Sequence, residues 1–339
     1  MIKTSMKNSL EATSLSHLEV IQSMESFVSE NLPQLLKTVD QSWQPASLLP
    51  QMEGQNWQEE IASLKNRTES LPDELLVVLV GDMITEEALP SYQTWINLLE
   101  GVGDIKGEGN SPWGQWSRGW TAEEKRHGDL LNKYLFLTGR INMFAVEKTI
   151  HYLIRNGFNP GTENDPYLGF IYTSFQEKAT QISHKNTAVL SGKYGDSQIQ
   201  LICGTIAGDE ARHAKAYECF MQKIFELDPE EALLAFYKMM KKQISMPALL
   251  MTDGESPTLY DDFSMLAQKL GVYTASDYAN ILQDLVGTWK IADIPNLSGD
   301  SAKAQDYLCA LAPRYRKLAE RKGSSSLPKN KFSWVFNRI

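Results

Sequence analysis

The sequence predicts an all-α fold. Apolar residues recur at helical spacing over long stretches, glycine and proline punctuate those stretches, and two Glu-x-x-His steps, Glu124 to His127 and Glu210 to His213, lie inside them. A three-residue step turns an α-helix by about 300° and advances it about 4.5 Å, so each Glu and its His leave one face together.

The elements follow in order. Residues 1–30 read as a loose N-terminal segment. Pro72 opens a run that continues to Leu99 and stops at Gly101, with Pro90 kinking it. A second helix runs from a Thr121 cap to Gly139; Thr121-Ala-Glu-Glu124 fits a capping box, which offers Glu124 a role at a helix start as an alternative. A third runs from Asn142 to Arg155, ended by Gly157, and a fourth follows Asp165-Pro166 to about Leu190. A fifth begins at Asp196 or Ser197 and reaches Leu227; a sixth follows Asp228-Pro229, with Pro247 bending its end. Shorter helices are expected at Tyr260 to Leu270, Ala275 to Thr288 and Ala302 to Arg321. Residues 323–339 read as an extended tail, and 1–339 as a single domain. Gly101-Val-Gly103 follows a helix rather than a strand, which excludes a phosphate loop.

Composition narrows the function. With 339 residues the chain can bury a large core, and a net charge of −9 with a pI near 5.2 argues against nucleic acid. No run of about 18 uncharged apolar residues predicts a membrane span. Met1 to Leu10 has neither a signal-peptide core nor transit-peptide character, so a reducing compartment is expected. Three cysteines without a C-x-x-C disfavour a disulfide framework, a zinc ribbon and an iron–sulfur cluster. Any electrons the reaction needs must therefore come from a separate protein.

Among five histidines, only His127 and His213 carry an acid three residues earlier; His17, His151 and His184 have Ser14, Lys148 and Gln181 there. Two lone carboxylates, Glu86 in Thr85-Glu-Glu87 and Glu177, complete the order Glu, Glu-x-x-His, Glu, Glu-x-x-His. That is the constellation of ferritin-like di-iron bundles, with additional helices here. Hard carboxylates and borderline imidazoles suit two iron ions; zinc and manganese sites use similar ligands, so the metal is inferred.

Several runs resemble the soluble acyl-[acyl-carrier-protein] desaturases: Ile84-Thr-Glu-Glu-Ala-Leu-Pro-Ser-Tyr-Gln, Trp120-Thr-Ala-Glu-Glu-Lys-Arg-His-Gly-Asp-Leu-Leu-Asn-Lys-Tyr, Tyr167-Leu-Gly-Phe-Ile-Tyr-Thr-Ser-Phe-Gln-Glu and Cys203-Gly-Thr-Ile-Ala-Gly-Asp-Glu-Ala-Arg-His. Ile244-Ser-Met-Pro-Ala, Leu270-Gly-Val-Tyr-Thr-Ala and Phe332-Ser-Trp-Val-Phe extend the resemblance over most of the chain from Trp43 onward. It implies a ferritin-like homodimer that uses two iron ions, O2 and reduced ferredoxin to insert a cis double bond into a fatty acyl chain on acyl carrier protein. Its ligand pattern falls on Glu86, Glu124, His127, Glu177, Glu210 and His213. Thr180 matches an active-site Thr, and Asp209 an Asp linking a ligand His toward Trp43, an electron route. Lys37 and Arg212 match carrier-protein contacts. Trp95, Leu98 and Leu99 fall at the inner acyl pocket, where many plant members have Met and Thr in place of the first two. Larger side chains there imply a preference for chains of about sixteen carbons or fewer over about eighteen. The expected location is a bacterial cytoplasm, or the plastid stroma for a mature plant form.

Two other classes share features. A ferritin-like di-iron oxygenase or ferroxidase would keep the ligands but not the desaturase-like runs elsewhere. A radical protein of the ribonucleotide-reductase type would need a tyrosine beside the iron, for which Tyr134 is the candidate.

Overall fold

A computed structural model describes residues 16–51, 54–322 and 332–336. Among them the one strand-type pairing is an antiparallel bridge between Ile141 and Val335. The helices are α1 (His17–Ser23), α2 (Glu25–Leu35), α3 (Trp57–Glu69), α4 (Asp73–Glu87), α5 (Leu89–Ile96), α6 (Pro112–Thr138), α7 (Met143–Asn156), α8 (Pro166–Lys193), α9 (Ser197–Leu227), α10 (Pro229–Lys242), α11 (Leu259–Lys269), α12 (Ala275–Thr288) and α13 (Gly299–Lys322). The central bundle is α4, α6, α8 and α9; α4 packs on α6 and α8, and α9 on α6 and α8.

Local chemistry sets the long helices. Asp165 accepts hydrogen bonds from the Tyr167 and Leu168 amides and Pro166 takes the first helical position, so α8 starts where the sequence indicates. Asp196 does the same for α9 through the Gln198 and Ile199 amides. The two helices form an antiparallel hairpin that presents Glu177 and Glu210 toward each other.

Three expectations are corrected. The helix carrying Glu124 starts well before Thr121: Ser111 caps the Gly114 amide, Pro112 follows, and Thr121 lies mid-helix with its hydroxyl donating to the Ser117 carbonyl. The capping-box alternative for Glu124 therefore falls. Gly119 does not interrupt α6; a Cβ there would lie 2.4 Å from Leu36, so the glycine lets the chain just after α2 approach closely.

The run from Pro72 breaks at Ala88 rather than bending at Pro90. Proline has no amide to offer the carbonyl of Glu86 four residues back and its ring crowds it, so the ladder stops immediately past that glutamate. The Tyr92 hydroxyl donates to the Thr85 carbonyl at 2.9 Å. Leu99, expected inside the helix, lies beyond it.

Residues 1–15 lie outside the described residues, but 17–30 are not loose. Ser16 and Glu19 close a capping box, Val20, Ile21, Met24 and Val28 are buried, and the Trp113 indole donates to the Ile21 carbonyl. Of the expected tail, residues 323–331 and 337–339 are likewise outside the described residues.

Candidate metal centre

Each bundle helix delivers the residue the sequence marks: Glu86 from α4, Glu124 and His127 from α6, Glu177 from α8, Glu210 and His213 from α9. All six are buried, His127 and His213 completely and Glu86, the most open, at 9%. Four enclosed carboxylates are strongly unfavourable unless paired or coordinated.

They form two adjoining groups. Glu86, Glu124, His127 and Glu210 offer ligand atoms within 4.8 Å of one another, and so do Glu124, Glu177, Glu210 and His213. Glu124 and Glu210 belong to both, which is what two neighbouring cations bridged by carboxylates require. His127 Nδ1 lies 3.2 Å from Glu210 Oε1 and 3.3 Å from Glu124 Oε2, and His213 Nδ1 lies 2.6 Å from Glu124 Oε1. The buried Glu124 Oε1, Glu210 Oε1, His127 Nδ1 and His213 Nδ1 have no hydrogen-bond partner. Orphaned oxygen and nitrogen atoms converging on one space fit a pair of divalent or trivalent cations.

The electrostatics agree. Burial alone would lower both imidazoles, but the Glu124 charge, with other acids, outweighs it and holds His127 well above its ordinary value and His213 at about 9. Burial, with the charges of Glu124 and Glu210, pushes Glu177 well above the carboxylate range. Acid in excess of base thus retains protons, which bound cations would displace.

Around the six is a second ring of contacts. Asp209 Oδ2 lies 3.6 Å from His127 Nε2 and accepts the Trp43 indole N–H at 2.9 Å. The Trp43 ring lies nearly parallel to that of His127, 6.0 Å between centres, and the Arg126 guanidinium sits over it at 4.6 Å from the ring centre. Glu123 holds His213 Nε2 at 2.9 Å, His184 Nε2 sits 2.9 Å from Glu86 Oε1, and the Trp120 indole donates to Glu177 Oε1 at 3.0 Å. Thr180 Oγ1 donates to Glu210 Oε2 at 2.9 Å, and also reaches the Glu177 carbonyl at 3.1 Å within its own helix.

Sequence reasoning missed Glu123, Trp120, Arg126 and His184. His184 lies seven residues after Glu177, two turns along the face of α8, and that spacing was its signal.

Lys37 and Arg212 both pair with acids beside the site. Lys37 Nζ is 3.1 Å from Asp209, and Arg212 binds Asp209 and Glu123 with its side chain only 16% exposed. The charge of the neighbouring acids holds Arg212 inward, while Lys37 reaches Asp209 with 38% of its side chain still exposed.

A cavity of about 50 Å³ runs from Glu86, Glu124, Glu177 and Glu210 to an aromatic wall of Tyr92, Trp95, Phe158 and Tyr172. Trp95 is locked there: its indole donates to Thr162 Oγ1 at 2.8 Å and its ring meets Phe158 and Tyr172 edge-on. Leu98 is 56% exposed in a separate surface cleft behind that wall, and Leu99 is buried against Gly169. Because α5 ends at Ile96, the following turn takes both leucines away from the inner cavity.

Fold and site together define a helical-bundle protein built around two adjoining carboxylate–histidine groups that share two glutamates. The chain belongs to the fatty acid desaturase family, whose model matches residues 16–336. It is 55% identical over 326 residues to an acyl-[acyl-carrier-protein] desaturase, chloroplastic, of Cucumis sativus, covering 95% of this chain and 82% of that protein. To stearoyl-[acyl-carrier-protein] 9-desaturase 1, chloroplastic, of Arabidopsis thaliana it is 54% identical, over 95% and 82% of the two chains. The X-ray structure of DesA2 from Mycobacterium tuberculosis H37Rv, provisionally described as an acyl-ACP desaturase, shares the fold with a TM-score of 0.56 at 17% identity, covering 85% of this chain and 99% of that one. No helix among the described residues is long and apolar enough to cross a membrane.

Proposed function

We propose that the chain is an acyl-[acyl-carrier-protein] desaturase that holds two iron ions on Glu86, Glu124, His127, Glu177, Glu210 and His213 and inserts a cis double bond into a saturated acyl chain. O2 is the oxidant, reduced ferredoxin the electron donor, and a homodimer the working form. The observation that carries this reading is the pair of cation-ready groups facing a narrow aromatic cavity. The relatives' names carry the carrier-bound substrate, and their chloroplast designation supports the plastid stroma over a bacterial cytoplasm.

An unactivated methylene C–H has no acidity a protein base could use, so the iron pair, when bound, would activate O2 as the oxidant of that bond. The protein's part is position. Tyr92, Trp95, Phe158 and Tyr172 enclose the chain and exclude water, and the cavity fixes which methylenes lie against the glutamates. Asp209 and Glu123 orient the two imidazoles. Trp120 and Thr180 hold Glu177 and Glu210, and the Thr180 hydroxyl can give a proton toward the site. Trp43, joined to His127 through Asp209 and by stacking, is the inward route for electrons.

The test is mass spectrometry of products from iron-loaded protein supplied with reduced ferredoxin, O2 and acyl carriers of several lengths. A cis-alkene is expected. A hydroxylated product would favour the oxygenase alternative, and no product with any acyl carrier would refute the reading.

A further inference from the structure

One half-buried acid beside the centre, with one carboxylate oxygen enclosed, has no part in holding it. Asp82 precedes Glu86 by one turn of α4; its Oδ1 accepts the Ser183 hydroxyl at 3.2 Å, while its buried Oδ2 has no partner. It lines a cavity of about 60 Å³ together with Thr85, Glu86, Thr180, Tyr260 and Tyr273. Tyr273 also keeps a buried hydroxyl without a partner. A carboxylate oxygen and a phenol left unpaired on one small cavity whose walls are otherwise largely apolar call for water, and the volume admits a few molecules at roughly 10 to 15 Å³ of such space each.

The position matters as much as the group. Tyr260, Ser264 and Tyr273 also line an outer cleft of about 480 Å³, and Thr85, Glu86 and Thr180 also line the cavity at the glutamates. Asp82 thus stands between an opening to solvent and the reaction site. Burial lifts its carboxyl to about 6, with His184 lowering and Glu86 raising it through their charges and the Ser183 hydroxyl lowering it. The ionisable groups facing it are Glu86, His184, Cys203, Tyr260 and Tyr273.

The desaturase reading, on which this inference rests, has a proton requirement. Two C–H bonds and the O–O bond break, one C=C π bond and four O–H bonds form, and two waters leave. The acyl chain supplies two hydrogens; two electrons come from the one-electron donor, and two protons must enter from solvent.

We propose that Asp82 relays those protons from the outer cleft to the site, over water held in the intervening cavity, with Thr180 as the receiving hydroxyl. In the iron-loaded enzyme, Asp82→Asn is expected to lower kcat by roughly tenfold or more, to raise the solvent deuterium isotope effect, and to leave iron content and the acyl-carrier KM unchanged. Asp82→Glu, which keeps a transferable proton, should recover most of the rate. In metal-free protein, infrared spectroscopy should find a titrating carboxyl C=O band that Asp82→Asn removes and Asp82→Glu moves. Wild-type kcat and isotope effect in the Asn variant would overturn the proposal. Should that variant lose its fold or its iron, a wild-type spectrum without a titrating band that shifts in Asp82→Glu would overturn it instead. Failure of the wild-type enzyme to desaturate any acyl carrier would strike the reading of function, which the infrared measurement does not depend on.

Discussion

Asp209 shows how much one carboxylate can organise. It receives Trp43, Lys37, Arg126 and Arg212 and stands beside His127, and burial, which would raise its carboxyl, is outweighed by His127 and Arg212, leaving it far below the usual range. If this is the electron entry, Asp209→Asn and Trp43→Phe should slow reduction by ferredoxin more than reduction by a small chemical donor. Stopped-flow absorbance reads both, and equal slowing would reduce the pair to support of the fold. For the ligands, the protein as purified should hold about two iron ions per chain, and Glu210→Ala or His127→Ala should lower that number and abolish turnover. Metal analysis beside a product assay decides it; full activity in an iron-free variant would sink the assignment. Glu124, His127, Glu210 and His213 could be singled out because a three-residue step on a helix is a distance in space, and Glu86 and Glu177 because they complete the repeated order; the structure brings all six together. Glu123 carried no such mark, because its partner His213 lies on another helix, and His184 offered only its seven-residue spacing from Glu177, which does not reveal its contact with Glu86.

Among the elements, the break between α4 and α5 changes what the acyl wall can select. Trp95 closes the inner cavity and Leu98 faces the outside, so Trp95→Met alone should gain activity on longer chains, and Leu98→Thr alone should leave the chain-length profile as it was. Each misplaced methylene in such a pocket is worth roughly 1 to 3 kcal/mol of discrimination. The assay is the ratio of kcat/KM for carriers about sixteen and about eighteen carbons long; an unchanged ratio in Trp95→Met would refute the role of Trp95. A second contact joins α1 to the start of α8: His17 Nδ1 lies 3.0 Å from Asp165, and its ring stacks on Tyr167. The hydrogen bond to Asp165 raises His17 against the opposing effect of burial. A raised imidazole stabilises the fold below its unfolded value near 6.5 and loses that contribution as pH climbs through the folded value. His17→Gln should therefore cost on the order of 0.5 to 1 kcal/mol near pH 6 and less near pH 8, read by urea unfolding at both. An equal cost at the two pH values would assign the effect to stacking alone. The starts of α8 and α9 could be read from their Asp caps, whereas the start of α6 at Ser111-Pro112 was hidden behind the misleading Thr121 step. α1 and α2 could have been found from Ser16-His-Leu-Glu19, but a short amphipathic stretch near a terminus carries little periodicity to measure.

For the molecule as a whole, the enclosed acids make stability and metal loading one quantity. Stripping the iron by reduction and chelation should lower the melting temperature by at least a few degrees, and readdition of Fe(II) should restore it, because the folded chain binds the ions and the unfolded chain does not. Calorimetry with and without metal measures this, and identical curves would mean that protons neutralise the cluster as well as cations do. The fold class followed from helical apolar spacing, glycine and proline punctuation and the repeated order of acids and histidines. The path between outer cleft and reaction site was invisible, since it is formed where α4, α8, α11, the segment after α10 and the loop before α12 meet, and no one element spans it.

Trp334 is fully buried, its indole donates to Thr149, its carbonyl accepts the Asn142 amide, and its neighbour Val335 bridges to Ile141. Nearly every other described residue leaves the ribosome before it does. The groove beside α7 therefore stays open on the nascent chain until Trp334 emerges, after every helix described has already been made.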